Sequence, residues 1–345
     1  MAQLAIPRGS LVVVTGANGY IGSHIVDQLL QAGYHVRGTV RDSKQAAWMD
    51  DYFSDKYGPG KFSLVDVADM SAPGAFDDAV KGASGLVHVA SPMLQFIDPN
   101  EVVPMVVNGT IVALEAALTE PSIKRVVITS SSLSAAYAQP NKEFVIDERS
   151  WNEDAVTAAW APPPYEGMQR RMDVYSASKT QAEQAAWKWM EEHDPPFMLN
   201  AVLPNVNMGP VLSPKDQGYP STSGWAKAAW DGFKDDNGKM VLSTPSQYFV
   251  NVQDDARVHV AALIYSDVNA ERLFAYGHTY SWNTVLGTLR KLYPQRKFIE
   301  DIPNLGEDKS KVANQRAEEL LKRLTGLPGW TSLEQTLKDA TAAWT

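Results

Sequence analysis

Tyrosine and lysine stand four residues apart at four places in this chain: Tyr52/Lys56, Tyr57/Lys61, Tyr175/Lys179 and Tyr293/Lys297. On one face of a helix such a pair has a chemical use. A phenol with a pKa near 10 exchanges protons poorly at neutral pH, and an ammonium one turn away favours the phenolate and draws that pKa toward the working range. The pattern is also cheap. With 13 Tyr and 18 Lys in 345 residues, chance alone supplies roughly 0.7 of a match.

Context ranks the four. Tyr293 is followed by Pro294, which prevents helical spacing from running on. Tyr52 and Tyr57 fall in a Gly/Pro-containing segment ending YGPGK. Only Tyr175/Lys179 sits in an Ala-rich helical stretch, SASKTQAEQAAWKWMEEH. Upstream, Thr129–Ser132 (TSSS) closes a β-branched run and supplies hydroxyls for a substrate oxygen, although Ser/Thr runs also serve simply to cap loops.

A second element carries chemistry. In TGANGYIG the residues Gly16, Gly19 and Gly22 lie between an apolar run (SLVVVTG) and an amphipathic stretch in which Ile21, Ile25 and Leu29 recur every four residues. Glycine is required where such a turn is tight, where backbone approaches a pyrophosphate, and where helix packs on strand. Asn18, Tyr20 and Ile21 complete the cradle, and the helix N-terminus offers N–H groups to phosphate. The following strand ends VRGTVRDSK, with Arg41 where an NAD site would carry an acid, and with Arg37 and Lys44 nearby. The expected cofactor is therefore NADP(H). Asp66, after the third strand, either accepts from the adenine amino group or starts a turn.

These residues need a scaffold, and the chain supplies one. Strand-like runs at 62–67, 85–91, 125–132 and 197–204 alternate with helical stretches such as 75–82 and 107–118, which predicts an α/β fold with a doubly wound parallel sheet of Rossmann type. Ligands of such a sheet lie beyond the carboxyl ends of the strands. That places Val67, the Val89–Ala90–Ser91 run, Thr129 and the Pro204–Asn205–Val206 run against the cofactor. Residues 1–204 read as the dinucleotide-binding domain. Residues 205–345 read mainly as a smaller substrate-binding part, with elements at about 249–267 returning to the main domain, and with helices at 223–233, 254–267, 281–293 and 314–324. The irregular, Pro-rich stretch 138–170 is long enough to expect a functional use. The aromatic-rich segment 219–249 predicts a roomy apolar pocket.

Bulk properties narrow the function. A formal charge of −9 disfavours nucleic-acid and anionic-membrane surfaces, and the absence of cysteine removes disulfides, thiol nucleophiles and Cys-ligated metals. The six histidines show no ligand spacing, so no metal is expected. No apolar stretch of spanning length and no signal peptide are expected, which makes the cytosol the default location. The expected partner is a small molecule, with the chain acting as a monomer or homodimer.

The order TGxxGxxG, VNGT (107–110), TSS (129–131) and YSASK (175–179) resembles the extended short-chain dehydrogenase/reductases. TVRD (39–42), LVHVASP (86–92), ERSWNE (148–153) and LPNVNMGP (203–210) are similar to the branch of dihydroflavonol reductases and fungal aldehyde or carbonyl reductases. TSGW (222–225), PSQYFV (245–250) and SWNTVLGTLRKLYP (281–294) look closest to yeast-type NADPH-dependent aldehyde/ketone reductases. The resemblance implies that Ser131 binds the carbonyl oxygen, with Ser132 as fallback. Tyr175 would then be the general acid and Lys179 its electrostatic partner. It further implies that Asn108 holds a backbone kink or water behind Lys179, and that Arg41 grips the 2′-phosphate. Substrate would be lined by Phe96, Met208, Trp225 and Gln247. Two rivals share the fold, a nucleotide-sugar epimerase or dehydratase using NAD and a non-catalytic NADP-sensing regulator.

Overall fold

Seven short runs rich in β-branched residues assemble side by side in the computed structural model, which describes residues 3–91 and 97–344. They are β1 (Leu11–Thr15), β2 (His35–Val40), β3 (Phe62–Asp66), β4 (Ala83–His88), β5 (Arg125–Thr129), β6 (Met198–Pro204) and β7 (Arg272–Ala275). Their order is β7-β6-β5-β4-β1-β2-β3, and every neighbouring pair is parallel. The winding reverses between β1 and β4, and that crevice is where a doubly wound sheet takes its ligand. The expected fold class is therefore what forms. The seventh strand, RLFA, is absent from the sequence expectation because four residues are too few to show a period.

Helices cover both faces. On one, α1 (Tyr20–Gln31) packs against α4 (Val252–Ile264); on the other, α2 (Pro99–Thr119) packs against α3 (Gly167–His193). Helix α2 has 21 residues and is apolar enough to cross a membrane by length and composition, contrary to the expectation that no stretch reaches that length. More than half of it is buried inside the fold, so its apolar surface is consumed by the sheet and by α3.

Tyr52 and Tyr57 also correct an expectation, since both lie on a helix, Trp48–Tyr57. Their neighbour Lys56 sets its ammonium 2.7 Å from Asp27 Oδ1, and the Tyr57 hydroxyl donates to the same oxygen at 2.8 Å. This group fastens that helix to α1.

The C-terminal third builds a three-stranded sheet from Val206–Met208, Gln247–Asn251 and His278–Tyr280, with the middle strand central. Its core takes the aromatic side chains that the segment 219–249 was expected to spend on a pocket. Trp230, Phe233 and Phe249 are buried there with Tyr280 and Trp282. Met208 is fully buried in this core, and the Trp225 ring packs toward Trp282 at 6.4 Å between centroids. Both residues serve packing. The stretch 138–170 is likewise partly ordered, with Val145–Ile146 pairing in parallel with Lys311–Val312 and a short helix at Glu153–Ala159.

The turn from β1 to α1 positions the site. Gly16 has φ +63°, and a β-carbon on it would stand 3.0 Å from Ala90 Cα at the end of β4. At Gly22 a β-carbon would fall 2.3 Å from the Gly16 carbonyl oxygen, closer than any real contact. That obstacle is backbone and cannot swing aside. Gly22→Ala is accordingly expected to lower unfolding free energy by about 3 kcal/mol, the upper end of typical overpacking costs. A denaturant midpoint unchanged from the parent would show that α1 does not press on the loop in this way.

Candidate active site

The glycine loop leaves the N-terminus of α1 open. Gly19 is the capping residue and contributes no side-chain bond, and no acid occupies the first turn. The Thr15 hydroxyl accepts from the Val89 and Ala90 amides, both at 3.0 Å, which fixes the end of β4 beside the loop. Val67, Ser91 and Pro204 stand at the same carboxyl-end edge, after or at the ends of β3, β4 and β6.

Beyond β2, Arg41 is exposed and, among the described residues, has no hydrogen-bond or ion-pair partner. The other cations nearby differ. Arg37 is committed to structure, donating to the Ala79 and Lys81 carbonyls at 2.7 and 2.9 Å. Lys44 is exposed, with its amide turned onto Asp42 Oδ1 at 2.9 Å. Asp66 shows neither of its two expected uses here: its carboxylate accepts from the Ser43 amide at 2.6 Å and the Ser43 hydroxyl at 3.2 Å, a contact to a loop 23 residues away rather than to its own turn. It shapes the loop that carries Arg41. An open helix N-terminus, glycines that admit no β-carbon and an unengaged guanidinium fit a dinucleotide bearing an extra phosphate.

Across the crevice, Lys179 enters the interior from α3 and donates to the Thr129 carbonyl at 2.7 Å. Burial draws its pKa down to about 8, opposed by the nearby Glu183 carboxylate. Tyr175, one turn earlier, is half-buried. Burial raises its phenol above the usual value, and the nearby Ser131 hydroxyl offsets part of that rise.

The three serines at the end of β5 have different employments. Ser130 donates to Glu183 Oε2 at 2.6 Å, and Ser134 donates to the same oxygen at 2.8 Å. Arg272 of β7 then closes on Glu183 Oε1 at 2.7 Å while its guanidinium lies 3.8 Å from the centre of the Trp151 ring. Ser132 faces the other way, into a cavity of about 10 Å³ shared with Asn205, Gln247 and Tyr276. Phe144 and Ile146, from the Pro-rich excursion, help to wall it. Asn205 is partly occupied, its Oδ1 accepting from the Val206 amide at 2.7 Å. Ser131 Oγ accepts from the Leu133 amide at 3.2 Å and is the serine hydroxyl near enough to the Tyr175 phenol to influence it.

Asn108 does not reach this cluster. It is exposed on the outside of α2, which is continuous through it, while Val106 and Thr110 of the same helix line a cavity of about 10 Å³ beside Lys179. Two residues along a helix turn a side chain through some 200°, so Asn108 points away when its neighbours point in. His88 lines that cavity too. The Thr15 hydroxyl, already accepting from two amides, donates to His88 Nδ1 at 3.0 Å, which leaves the ring a neutral Nε2–H donor. Burial, helped by the Lys179 charge, lowers the His88 pKa to about 3. Phe96 lies outside the described residues.

Glu183, Arg272 and His88 were not singled out from sequence. Glu183 had a signal, since it follows Lys179 by four residues and shares its helix face. His88 showed only as a polar interruption of the apolar run GLVHVA. Arg272 gave none, because its partner lies 89 positions away. Glu183 and Arg272 are 1 % and 5 % exposed at the side chain, so Glu183→Gln leaves a buried guanidinium without its anion. It is expected to reduce unfolding free energy by about 3–5 kcal/mol. A loss under 1 kcal/mol in chemical denaturation would mean that water reaches the pair.

Residues 12–274 match the NAD dependent epimerase/dehydratase family. Aldehyde reductase 2 of Sporidiobolus salmonicolor is 43% identical over 335 residues, covering 97% of this chain and 96% of that protein. A ketoreductase of Penicillium rubens is 39% identical, covering 98% and 97%. Among solved structures, yeast methylglyoxal/isovaleraldehyde reductase Gre2 complexed with NADPH superposes with a TM-score of 0.78 at 26% identity, covering 96% of this chain and 97% of that one. With its glycine loop, its parallel sheet and full-length relatives of this kind, the chain belongs to the NAD dependent epimerase/dehydratase family, on the extended short-chain dehydrogenase/reductase side that holds these reductases.

Proposed function

We propose that this chain reduces aldehydes or ketones to alcohols, with Tyr175 as general acid. The chain is an NADPH-dependent oxidoreductase, and carbonyl reduction is its reaction in broad terms. The observation that carries the finer reading is the convergence of Ser131, Tyr175 and buried Lys179 at the strand ends, across from an open helix N-terminus.

Gly16, Gly19, Gly22 and the first turn of α1 would hold the pyrophosphate, and Arg41 the 2′-phosphate. When bound, the reduced nicotinamide supplies the hydride. Ser131 and Tyr175 orient the carbonyl by hydrogen bonds to its oxygen, and these strengthen as negative charge gathers there. Tyr175 passes its phenolic proton to that oxygen. The Lys179 ammonium lowers the cost of the phenolate left behind, and the Thr129 carbonyl holds the ammonium in place. Ser130 takes no part in this, because Glu183 engages its hydroxyl.

The rival readings are less well supported. An epimerase or dehydratase with NAD wants an acid at the end of β2, where Arg41 stands. A sensor needs the cradle alone, without the Tyr175/Lys179 pair.

The test follows reduced-nicotinamide absorbance with NADPH and NADH against aldehydes and α- and β-ketoesters. Tyr175→Phe is expected to cut turnover by ~10²–10⁴ while NADPH binding holds. Binding without turnover of any carbonyl by the parent would move the weight to the sensor. Arg41→Ala is expected to weaken NADPH by about 10- to 100-fold, the worth of one charge-assisted contact, with NADH affinity unchanged. Equal losses for both cofactors would remove Arg41 from the phosphate.

A further inference from the structure

The segment that leaves the small-sheet strand Val206–Met208 runs back over the glycine loop. The Tyr20 hydroxyl donates to the Gly209 carbonyl at 3.1 Å, and His24 Nε2 donates to the Pro210 carbonyl at 2.9 Å. Farther along, Gln217 reaches the loop itself. Its Nε2 lies 3.1 Å from the Asn18 carbonyl and 3.1 Å from Ser23 Oγ, and its Oε1 accepts from the Ser213 amide at 3.1 Å. The partners fix the orientation of this side chain. A carbonyl only accepts and a peptide N–H only donates, so the NH₂ group faces the loop and the oxygen faces Ser213.

Asn18 and Ser23 bracket Gly19–Gly22, the stretch that carries the open helix N-terminus. Among the described residues, no other side chain of 211–218 bonds to residues 16–23. The segment is thus pinned at its start by two residues of α1 and at its end by Gln217. Both pins fall on the glycine loop and the first turns of α1, where the phosphates would sit, and the N-terminal side of the segment is continuous with the strand that carries Val206.

We propose that Gln217 is a cofactor-retention residue, whose amide holds the segment 209–217 closed over the phosphate seat so that NADP(H) leaves only after these bonds break. The proposal rests on the reading that the glycine loop seats NADP(H), and requires nothing of the carbonyl chemistry. Gln217→Ala keeps the Tyr20 and His24 contacts and removes only the last tie. Gln217→Glu keeps the length, loses the donor and sets a carboxylate against the Asn18 carbonyl and the phosphates.

The experiment measures NADPH release from the full-length chain by stopped-flow fluorescence with excess NADP⁺ as competitor, alongside thermal melting of the cofactor-free protein. Gln217→Ala is expected to raise the release rate about three- to tenfold, the worth of one neutral hydrogen bond, and Gln217→Glu to raise it further. Unchanged release in both variants would overturn the proposal. So would a fall in the melting temperature of the cofactor-free Ala variant with release unchanged, since the tie would then be structural only. Faster release from a chain that turns over no carbonyl would leave retention standing and remove the reductase reading. Turnover with release unchanged in the variants would do the reverse.

Discussion

Lys179 carries an ammonium into the interior and sets it 2.7 Å from the Thr129 carbonyl, and burying that charge places conditions on everything around it. The desolvation cost shows in a pKa drawn down to about 8. One carboxylate, Glu183, lies on the same helix to offset it, but Glu183 is itself buried and needs donors. Ser130, Ser134 and Arg272 provide them. The cluster therefore joins β5, α3 and β7, three elements far apart in sequence, around a single requirement. The same low-polarity setting keeps His88 neutral and makes it a donor rather than a second cation.

The glycine loop meets a different constraint, one of space. Gly16 and Gly22 are needed where backbone passes backbone, and Thr15 ties the loop to β4. What results is a helix N-terminus with no side chain of its own to satisfy it. An uncapped helix end and an exposed Arg41 at the end of β2 each have phosphate as a natural complement. The loop and the Lys179 cluster face one another because the sheet reverses its winding between β1 and β4.

The C-terminal part contributes by packing more than by chemistry. Its tryptophans and phenylalanines form a core under the small sheet, and their abundance in the sequence carried no information about whether they would line a pocket or fill one. Both uses reward large apolar rings. The deciding fact is that three short strands and several short helices must bury a core of their own, which leaves few of these rings for a ligand.

The alternation of strands and helices, the glycine spacing and the Tyr175/Lys179 pair were determined by the sequence alone, because each depends on residues a turn or a strand apart. Helical phase was local too: Val106 and Thr110 face inward together and Asn108 opposite them, so the misplacement of Asn108 came from family likeness overriding the period. Placement on a helix did not separate the four Tyr/Lys pairs as cleanly as expected, since Tyr52 and Lys56 also share one. Only the tertiary structure shows that Ser130 is engaged away from the phenol. Glu183, 53 positions away, takes Ser130 out of play, and Arg272, 89 positions beyond Glu183, holds that carboxylate in place. The tertiary structure likewise decided that Asp66 serves the Arg41 loop and that Arg37 does not serve a phosphate. A hydrogen bond across the fold has no period in the chain, and competition among neighbours for the same donors and acceptors exists only once the chain has brought them together.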